Sequence, residues 1–335
     1  MTGWNSSTLL LSALTGVLYF GLLTPGALVA NLVAIPLASI AILAGLASLV
    51  SGLLGATHLS LVFNHGAALV LWLVERLLAS QHYGERWARH WMDVVRYADS
   101  NGFQQDGDTF QWVWRDWVIK AINDNKPFDQ FARGLLTAEG PLDDSPAANF
   151  YKVVTKPGEA ANTLSQVFLG LRIACAECHH HPSDRWGQND YYGMAAFFTP
   201  VGVRKIGSTE ALIVQGDSTA RHLRTGETIP ATPLGATPFA PKGDRRADLA
   251  EWFTSPENPY FARNLANRLW GHFFGRGLVD PIDDVRATNP ASNPELLDAL
   301  AKELVEKKFD LRSLLRTIMS SRAYQLSSAM ADGNK

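Results

Sequence analysis

The sequence predicts a mainly α-helical protein, in which N-terminal transmembrane helices precede two helical soluble domains joined by a small β or irregular connector. Three observations lead to this prediction. The first 74 residues contain no Asp, Glu, Lys or Arg. From residue 75 onward, apolar residues recur mainly at helical spacing. Residues 201–242 interrupt that spacing with β-branched residues, followed by a run rich in Thr, Pro and Gly.

The uncharged N-terminal segment is long enough to cross a bilayer more than once. A membrane span needs roughly 20 apolar residues. Residues 8–57 fit two spans broken near Pro25-Gly26, and residues 58–74 fit a weaker third. The segment is too long for a cleaved signal peptide and has no basic start. We therefore predict transmembrane helices over residues 1–74, with a buried apolar hairpin as the alternative.

The remaining helices follow from apolar periodicity and from residues that start or stop helices. Asn101-Gly102 is a stop signal, and Asn293-Pro294 is a start signal with Pro in the first turn. The predicted helices cover residues 80–102, 110–123, 159–171, 189–198, 244–253, 258–275, 293–308 and 310–321, with a short one after Pro127. Residues 75–200 and 244–329 therefore form two predicted helical domains, and residues 201–243 form the connector.

Both cysteines of the chain lie in the stretch IACAECHHHPSDRW, residues 173–186. Cys175, Cys178 and His179 make a C-x-x-C-H sequence, the attachment signature of c-type haem. Two thiols one turn apart can meet the two vinyl groups of haem, and the adjacent imidazole can reach the iron from the same side. Met194 and His181 are candidate distal ligands. Core packing for Met194 and a turn cap at Pro182 for His181 are the alternatives.

Other interpretations of the cysteine pair stay open. A zinc site could use both thiols and nearby histidines, although structural zinc usually joins two separated ligand pairs. A structural disulfide is possible in an oxidising compartment. A thiol–disulfide redox site would need a preceding βαβ pattern, which the sequence lacks. His222 and His272 are the remote histidines that could complete a site.

Several polar residues outside the motif are further candidates. Arg185 follows the motif and could pair with a haem propionate. One face of the 258–275 helix carries four polar residues that could bind an anion or form a domain interface; they are Arg263, Asn267, Arg268 and His272. Acidic loops could bind a cation or a sugar, or be solvated turns; they contain Asp99, Asn101, Asp106 and Asp108, and Asp280, Asp283 and Asp284. No phosphate-loop, dinucleotide, serine-hydrolase or zincin motif occurs.

Longer stretches carry a family resemblance. ERLLASQHYGERWARHW, WRDWVIKAIN and CAECHHHPSDRWGQNDYYGMAAFF resemble the planctomycete cytochrome-c-like domain of unknown function (PSCyt-type) over residues 75–200. FARNLANRLWGHFFGRGLVDPIDDVR and FDLRSLLRTIMSSRAYQLSS resemble its usual C-terminal partner domain (PSD-type) over residues 244–329. His180 and Ser183 depart from the usual motif. The segment LLTPGALVANLVAIPLASIAILAGLASLVSGLLG resembles a membrane fragment of the ComEC competence family.

The resemblance implies covalently bound haem c, electron transfer in the cell envelope and a redox partner protein. Haem is attached outside the cytoplasm, so we expect a membrane-anchored protein with a periplasmic body. Arg76, Arg86 and Arg89 point the other way by the positive-inside rule. The alternatives are a non-redox binding module braced by a Cys/His zinc site and a DNA-uptake component carried by the N-terminal segment. No nucleic acid is expected to bind the soluble body, and no substrate is implied.

Overall fold

The computed structural model of the chain describes residues 72–99 and 111–325, together with residues 47, 50, 53–56 and 58. The chain divides into two compact units, Met1–Ser80 and Gln81–Lys335. In the first unit, residues 72–78 are helical. There the guanidinium carbon of Arg76 lies 5.2 Å from the centre of the Trp72 ring.

The membrane part of the predicted fold class is corrected by the structure. No helix among the described residues has both the length and the apolar character needed to cross a membrane. Most of residues 8–57, on which two of the predicted spans fall, lie outside the described residues. The prediction of transmembrane helices is therefore wrong for the residues that the structure describes. The mainly helical character of the chain and the presence of a few strands agree with the prediction.

Three helices open the second unit, and aromatic side chains join them. They are α1 (His82–Val94), α2 (Trp112–Asn123) and α3 (Phe128–Leu136). The ring of Trp91 on α1 lies edge-on to Phe131 on α3, with 4.9 Å between ring centres. Trp114 on α2 has no solvent exposure. Buried aromatic rings contribute much of the apolar area of a core, so these three helices form one packed layer.

The chain then leads to the cysteine motif through short helical segments. A 3₁₀ turn (Pro146–Asn149) precedes α4 (Phe150–Val153) and α5 (Pro157–Leu164). The end of α5 widens into a π-helical turn, Ser165–Leu169, which stops at Gly170 with φ 72°. A second 3₁₀ turn, Ala174–Glu177, contains the first cysteine, and α6 follows as Gln188–Ala196.

Among the described residues, five short strands form two small sheets. β1 (Gly140–Pro141), β2 (Val201–Ile206) and β3 (Thr209–Val214) make an antiparallel sheet in the order β1-β3-β2. β4 (Thr219–Arg221) and β5 (Thr228–Pro230) form an antiparallel pair. Strands β2 to β5 lie within the segment predicted as the connector.

The C-terminal helices pack on the same core as the first three. They are α7 (Arg246–Thr254), α8 (Phe261–Phe274), α9 (Pro294–Glu306), α10 (Leu311–Ser320) and α11 (Arg322–Gln325). The Asn293 side chain caps α9 by accepting a hydrogen bond from Leu296 N at 2.9 Å, as the start signal predicted. Phe261 stacks on Phe128, with 5.9 Å between ring centres, so the C-terminal helices complete the core that α1 to α3 begin.

Candidate functional site

The two cysteines lie on one tight turn and face solvent. Cys175 belongs to the 3₁₀ turn Ala174–Glu177, and Cys178 ends it. Side chains three residues apart in a 3₁₀ turn lie nearly above one another, which places the thiols on the same side. Both cysteines are free and exposed. The structure therefore holds no disulfide here, and it presents both thiols to any molecule that approaches the turn.

His179 continues the turn directly after the second thiol. Its backbone N–H donates to the Cys175 carbonyl at 3.4 Å, so the backbone keeps a helical path from the first cysteine to the histidine. The imidazole is exposed, and its Nδ1 lies 2.6 Å from the His180 carbonyl oxygen. A carbonyl accepts only, so this contact favours the tautomer with hydrogen on Nδ1. That tautomer leaves the lone pair of Nε2 available to a metal.

The backbone of the turn is held from the inside by α6. Gln188 Nε2 and Tyr192 Oη both donate to the Glu177 carbonyl, at 3.1 and 3.2 Å. Ala176 is fully buried beneath the turn. Burial, followed by the charge of Glu177, raises the pKa of Tyr191 above its ordinary value. Burial also raises the pKa of Tyr192, so that its hydroxyl stays a neutral donor.

Of the predicted accessory residues, His181 and Met194 are engaged elsewhere. His181 N donates to the Trp186 carbonyl at 2.9 Å, and its ring Nδ1 accepts from Ser183 N at 3.2 Å. These two bonds are what the turn-cap interpretation describes. Met194 has no solvent exposure, as its packing interpretation describes. The structure therefore brings together the two thiols and His179.

Arg185 remains on the same exposed loop. Its guanidinium carbon lies 4.5 Å from the centre of the Trp186 ring, and Nη2 donates to Tyr260 Oη at 2.9 Å. The indole of Trp186 is almost fully buried. The loop is thus fastened at its arginine to the start of α8.

The two positions that depart from the family motif are accommodated by backbone features. A Cβ added at Gly187 would lie 2.9 Å from His180 Cε1, so glycine makes room for the histidine ring. Ser183 accepts a hydrogen bond from Thr288 Oγ1 through its backbone carbonyl, at 2.9 Å. That bond does not depend on which side chain position 183 carries.

The prediction of a metal-binding centre is wrong for the part of the chain that the structure describes. No group of three or more His, Cys, Asp or Glu side chains there could hold a metal ion. A structural zinc site needs four such ligands. His222, one of the remote candidates, is buried, and its Nδ1 accepts from the backbone N–H groups of Arg224 and Thr225, both at 3.2 Å. It caps its own turn.

The acidic loops are occupied by ion pairs. Asp99 accepts from Arg115 at 3.1 Å, whereas Asn101, Asp106 and Asp108 lie outside the described residues. Asp280, Asp283 and Asp284 pair with Arg276, Arg172 and Arg286 respectively. Asp99 is exposed, as expected of a solvated turn, whereas Asp284 is buried and Asp283 is largely covered, so these two carboxylates are structural ion-pair partners.

The predicted polar face of α8 is divided between different roles. Arg263 pairs with Asp298. The side-chain amide of Asn267 donates from Nδ2 to the Val279 carbonyl and accepts at Oδ1 from Val279 N. Arg268 and His272 instead line a cavity.

That cavity was not predicted from the sequence. It has a volume of about 70 Å³, and both α1 and α8 contribute to its wall. There the rings of His90 and His272 approach to 4.3 Å between centres. Burial lowers the pKa of His90 to about 4, with smaller effects from His272 and Arg86. The polar face predicted on the 258–275 helix supplied Arg268 and His272, but nothing in the sequence placed α1 against them.

Two family models match the chain. Residues 64–202 match PSCyt2, a protein of unknown function (DUF1549), and residues 245–335 match PSD1, a protein of unknown function (DUF1553). The first match starts earlier than the predicted boundary at residue 75. Neither match extends into residues 1–63, so the ComEC resemblance there stays a prediction. No curated protein and no solved structure was found to match the chain.

Proposed function

We propose that the turn containing Cys175, Cys178 and His179 is a covalent haem attachment site, and that the protein is a c-type-cytochrome-like electron carrier of the cell envelope. One observation carries the proposal. Two free, exposed thiols lie on one side of a single turn, and an exposed imidazole follows at once with its Nδ1 on a backbone carbonyl. That is the donor set which haem c requires.

Each residue has a separate role in this proposal. Each thiol would add across one vinyl group, so that a C–S bond forms and the thiol proton goes to the neighbouring vinyl carbon. His179 would present Nε2 as the proximal ligand. Haem supplies the one-electron chemistry when bound. Because the porphyrin itself provides four nitrogen ligands, the absence of a three-residue metal cluster in the described part does not bear on this site.

The rest of the turn supports attachment because hydrogen bonds fix its backbone. The Glu177 carbonyl is fixed by Gln188 and Tyr192, so the thiols extend from an anchored backbone. A preorganised turn loses less conformational entropy when it is cross-linked. Arg185 is exposed nearby and is our candidate for pairing with a haem carboxylate. Met194 and His181 have no role in the proposal.

The proposal also sets the compartment. Covalent haem attachment takes place outside the cytoplasm, so we expect residues 81–335 to reach the periplasm.

A pyridine-haemochrome spectrum tests the proposal. The full chain is produced in a host with a c-type cytochrome maturation system, beside the variants Cys175→Ser, Cys178→Ser and Met194→Leu. We expect c-type bands for the wild type and for Met194→Leu, bands of vinyl-containing haem or none for the single cysteine variants, and none for the double variant. Folded wild-type protein without c-type bands would overturn the proposal.

A further inference from the structure

A second site lies away from the cysteine turn, in a cavity lined by residues of α1, α2, α3 and α8. We call it the histidine cavity. It is defined by Trp87, His90 and Trp91 on α1 and by Leu265, Arg268 and His272 on α8. The rest of its wall is mainly apolar, and no Asp or Glu of the described residues lines it. Ligand sites are typically apolar cavities of this kind with a few converging polar groups.

Three polar atoms of the wall have no hydrogen-bond partner among the described residues: the acceptor Asn264 Oδ1, which lies against Gly170, and two donors. Trp91 Nε1 is buried and has no hydrogen-bond partner among the described residues, and the same holds for Arg268 Nε. The Arg268 guanidinium donates a hydrogen bond from Nη2 to the Gln166 carbonyl, at 2.8 Å. Native structures satisfy the large majority of their buried donors, so two orphan donors at one cavity point to a missing acceptor.

The charges around the cavity indicate that the missing acceptor is an anion. Among the described residues, no carboxylate forms an ion pair with Arg268; Asp283, the acidic group that acts on it, pairs with Arg172 instead. Burial lowers the pKa of Arg268. Burial also keeps His90 and His272 neutral near pH 7, with Arg86 lowering the pKa of both. A buried cation without a counter-charge is costly, and an anion in the cavity would remove that cost.

The volume limits the size of the anion. About 70 Å³ holds roughly five water-sized groups at about 15 Å³ each. The apolar wall requires that most of the ligand be hydrocarbon. We propose that the histidine cavity binds a small branched or linear monocarboxylate, with its carboxylate on Arg268 Nε and Trp91 Nε1 and its alkyl group against Trp87 and Leu265.

Isothermal titration calorimetry with isobutyrate on the full chain tests this proposal. Isobutyramide, which has the same shape and no charge, is the matched ligand control. We expect saturable one-to-one binding of isobutyrate and binding of isobutyramide that is weaker by about 30-fold or more, the size of effect seen when a buried charge partner is lost. Equal binding of the two ligands, or no saturable isobutyrate binding in the millimolar range, would overturn the proposal.

Variants locate the site. Arg268→Gln should lose binding by a similar factor, whereas Arg263→Gln, on the same helix but paired with Asp298 outside the cavity, should not. Trp91→Phe keeps an aromatic ring at this position and removes the N–H donor. It is therefore the alternative variant if Arg268→Gln does not fold. The Trp91 indole N–H resonance, assigned by its loss in Trp91→Phe, should shift on adding isobutyrate. An unmoved resonance together with wild-type affinity in Trp91→Phe would contradict the proposed pose. None of these readouts depends on haem.

Discussion

Arg185 Nη2 donates a hydrogen bond to Tyr260 Oη at 2.9 Å and so joins the loop after the cysteine turn to the start of α8. A second bond, from Thr288 Oγ1 to the Ser183 carbonyl, joins the same loop to the segment that follows α8. The loop lies in the segment matched by PSCyt2, and both partners lie in the segment matched by PSD1. Two hydrogen bonds therefore connect the two matched segments beside the candidate site.

The first prediction concerns this connection. Tyr260→Phe and Thr288→Val each remove one exposed hydrogen bond, so each should lower the free energy of unfolding by no more than about 1 kcal/mol. The larger effect should be local. Amide hydrogen exchange should accelerate in residues 181–186 and stay unchanged in α9, which does not contact the loop through these bonds. Unchanged exchange in the loop of the double variant would show that the two bonds do not hold it.

The second prediction concerns Gly170, which ends the π-helical turn with φ 72°. A Cβ there would lie 2.6 Å from Asn264 Oδ1 and 2.8 Å from Val285 Cγ2. Gly170→Ala should therefore combine backbone strain of about 1 kcal/mol with an overpacking cost of about 1–3 kcal/mol.

Gly275 provides the matched control for that substitution. It has the same φ of 72°, but a Cβ there would meet nothing within 4 Å. Gly275→Ala should therefore show the backbone strain alone, about 1 kcal/mol in urea unfolding. Equal losses in the two variants would mean that the contact with Asn264 and Val285 relaxes at no cost.

The third prediction concerns Arg246, the charged residue buried beside the small sheet. Its side chain is 1% exposed; Nη1 donates to the Ala138 carbonyl at 2.8 Å, and Nη2 donates to Asp244 at 3.0 Å. Asp244→Ala leaves this buried cation without its counter-charge, which should cost about 3 kcal/mol. Asp124→Ala, which breaks the exposed pair with Lys120, should cost less than about 0.5 kcal/mol. Comparable losses in urea unfolding would contradict the account of Arg246.

The fourth prediction concerns acid stability. The folded-state pKa of His90 is about 4, below the value of about 6.5 in an unfolded chain. Between these two values the unfolded chain binds more protons, so the contribution of His90 to stability is fully present above about pH 6.5. It is lost as the pH falls toward 4. The charged and titratable groups that act on the two cavity histidines are Arg86, Arg89, Asp93 and Arg268.

Urea unfolding at about pH 8, 6 and 5 measures this effect. The wild type should lose stability across the series, and His90→Gln should lose less because the group that titrates is gone. A variant with the same pH slope as the wild type would show that His90 does not titrate in this range.

The sequence predicted α8 and α9 closely, but the helix predicted for residues 80–102 with a stop at Asn101-Gly102 ends at Val94 as α1. Asn293 caps α9 through its side chain, and α8 lies within the predicted residues 258–275. The π-helical turn was missed because the apolar spacing of α5 continues through it, and only the positive φ of Gly170 ends it. The apolar segment was predicted to cross the membrane on hydropathy alone, and no described helix supports that.

The candidate site was predictable in part. The C-x-x-C-H spacing identified Cys175, Cys178 and His179, but spacing does not say whether thiols face solvent. Spacing also could not distinguish a ligand from a packed residue at Met194, which is buried because α6 is covered on nearly all of its faces. The histidine cavity depends on α1 meeting α8 across most of the chain, a tertiary contact with no local signal.

The most direct test of the central claim is the intact mass of the purified protein after expression in a host that matures c-type cytochromes. We predict that the denatured wild-type chain carries the added mass of one haem, and that Cys175→Ser/Cys178→Ser carries none. A folded wild-type protein with the mass of the unmodified chain, in a host where a control cytochrome is fully matured, would contradict covalent attachment at this turn.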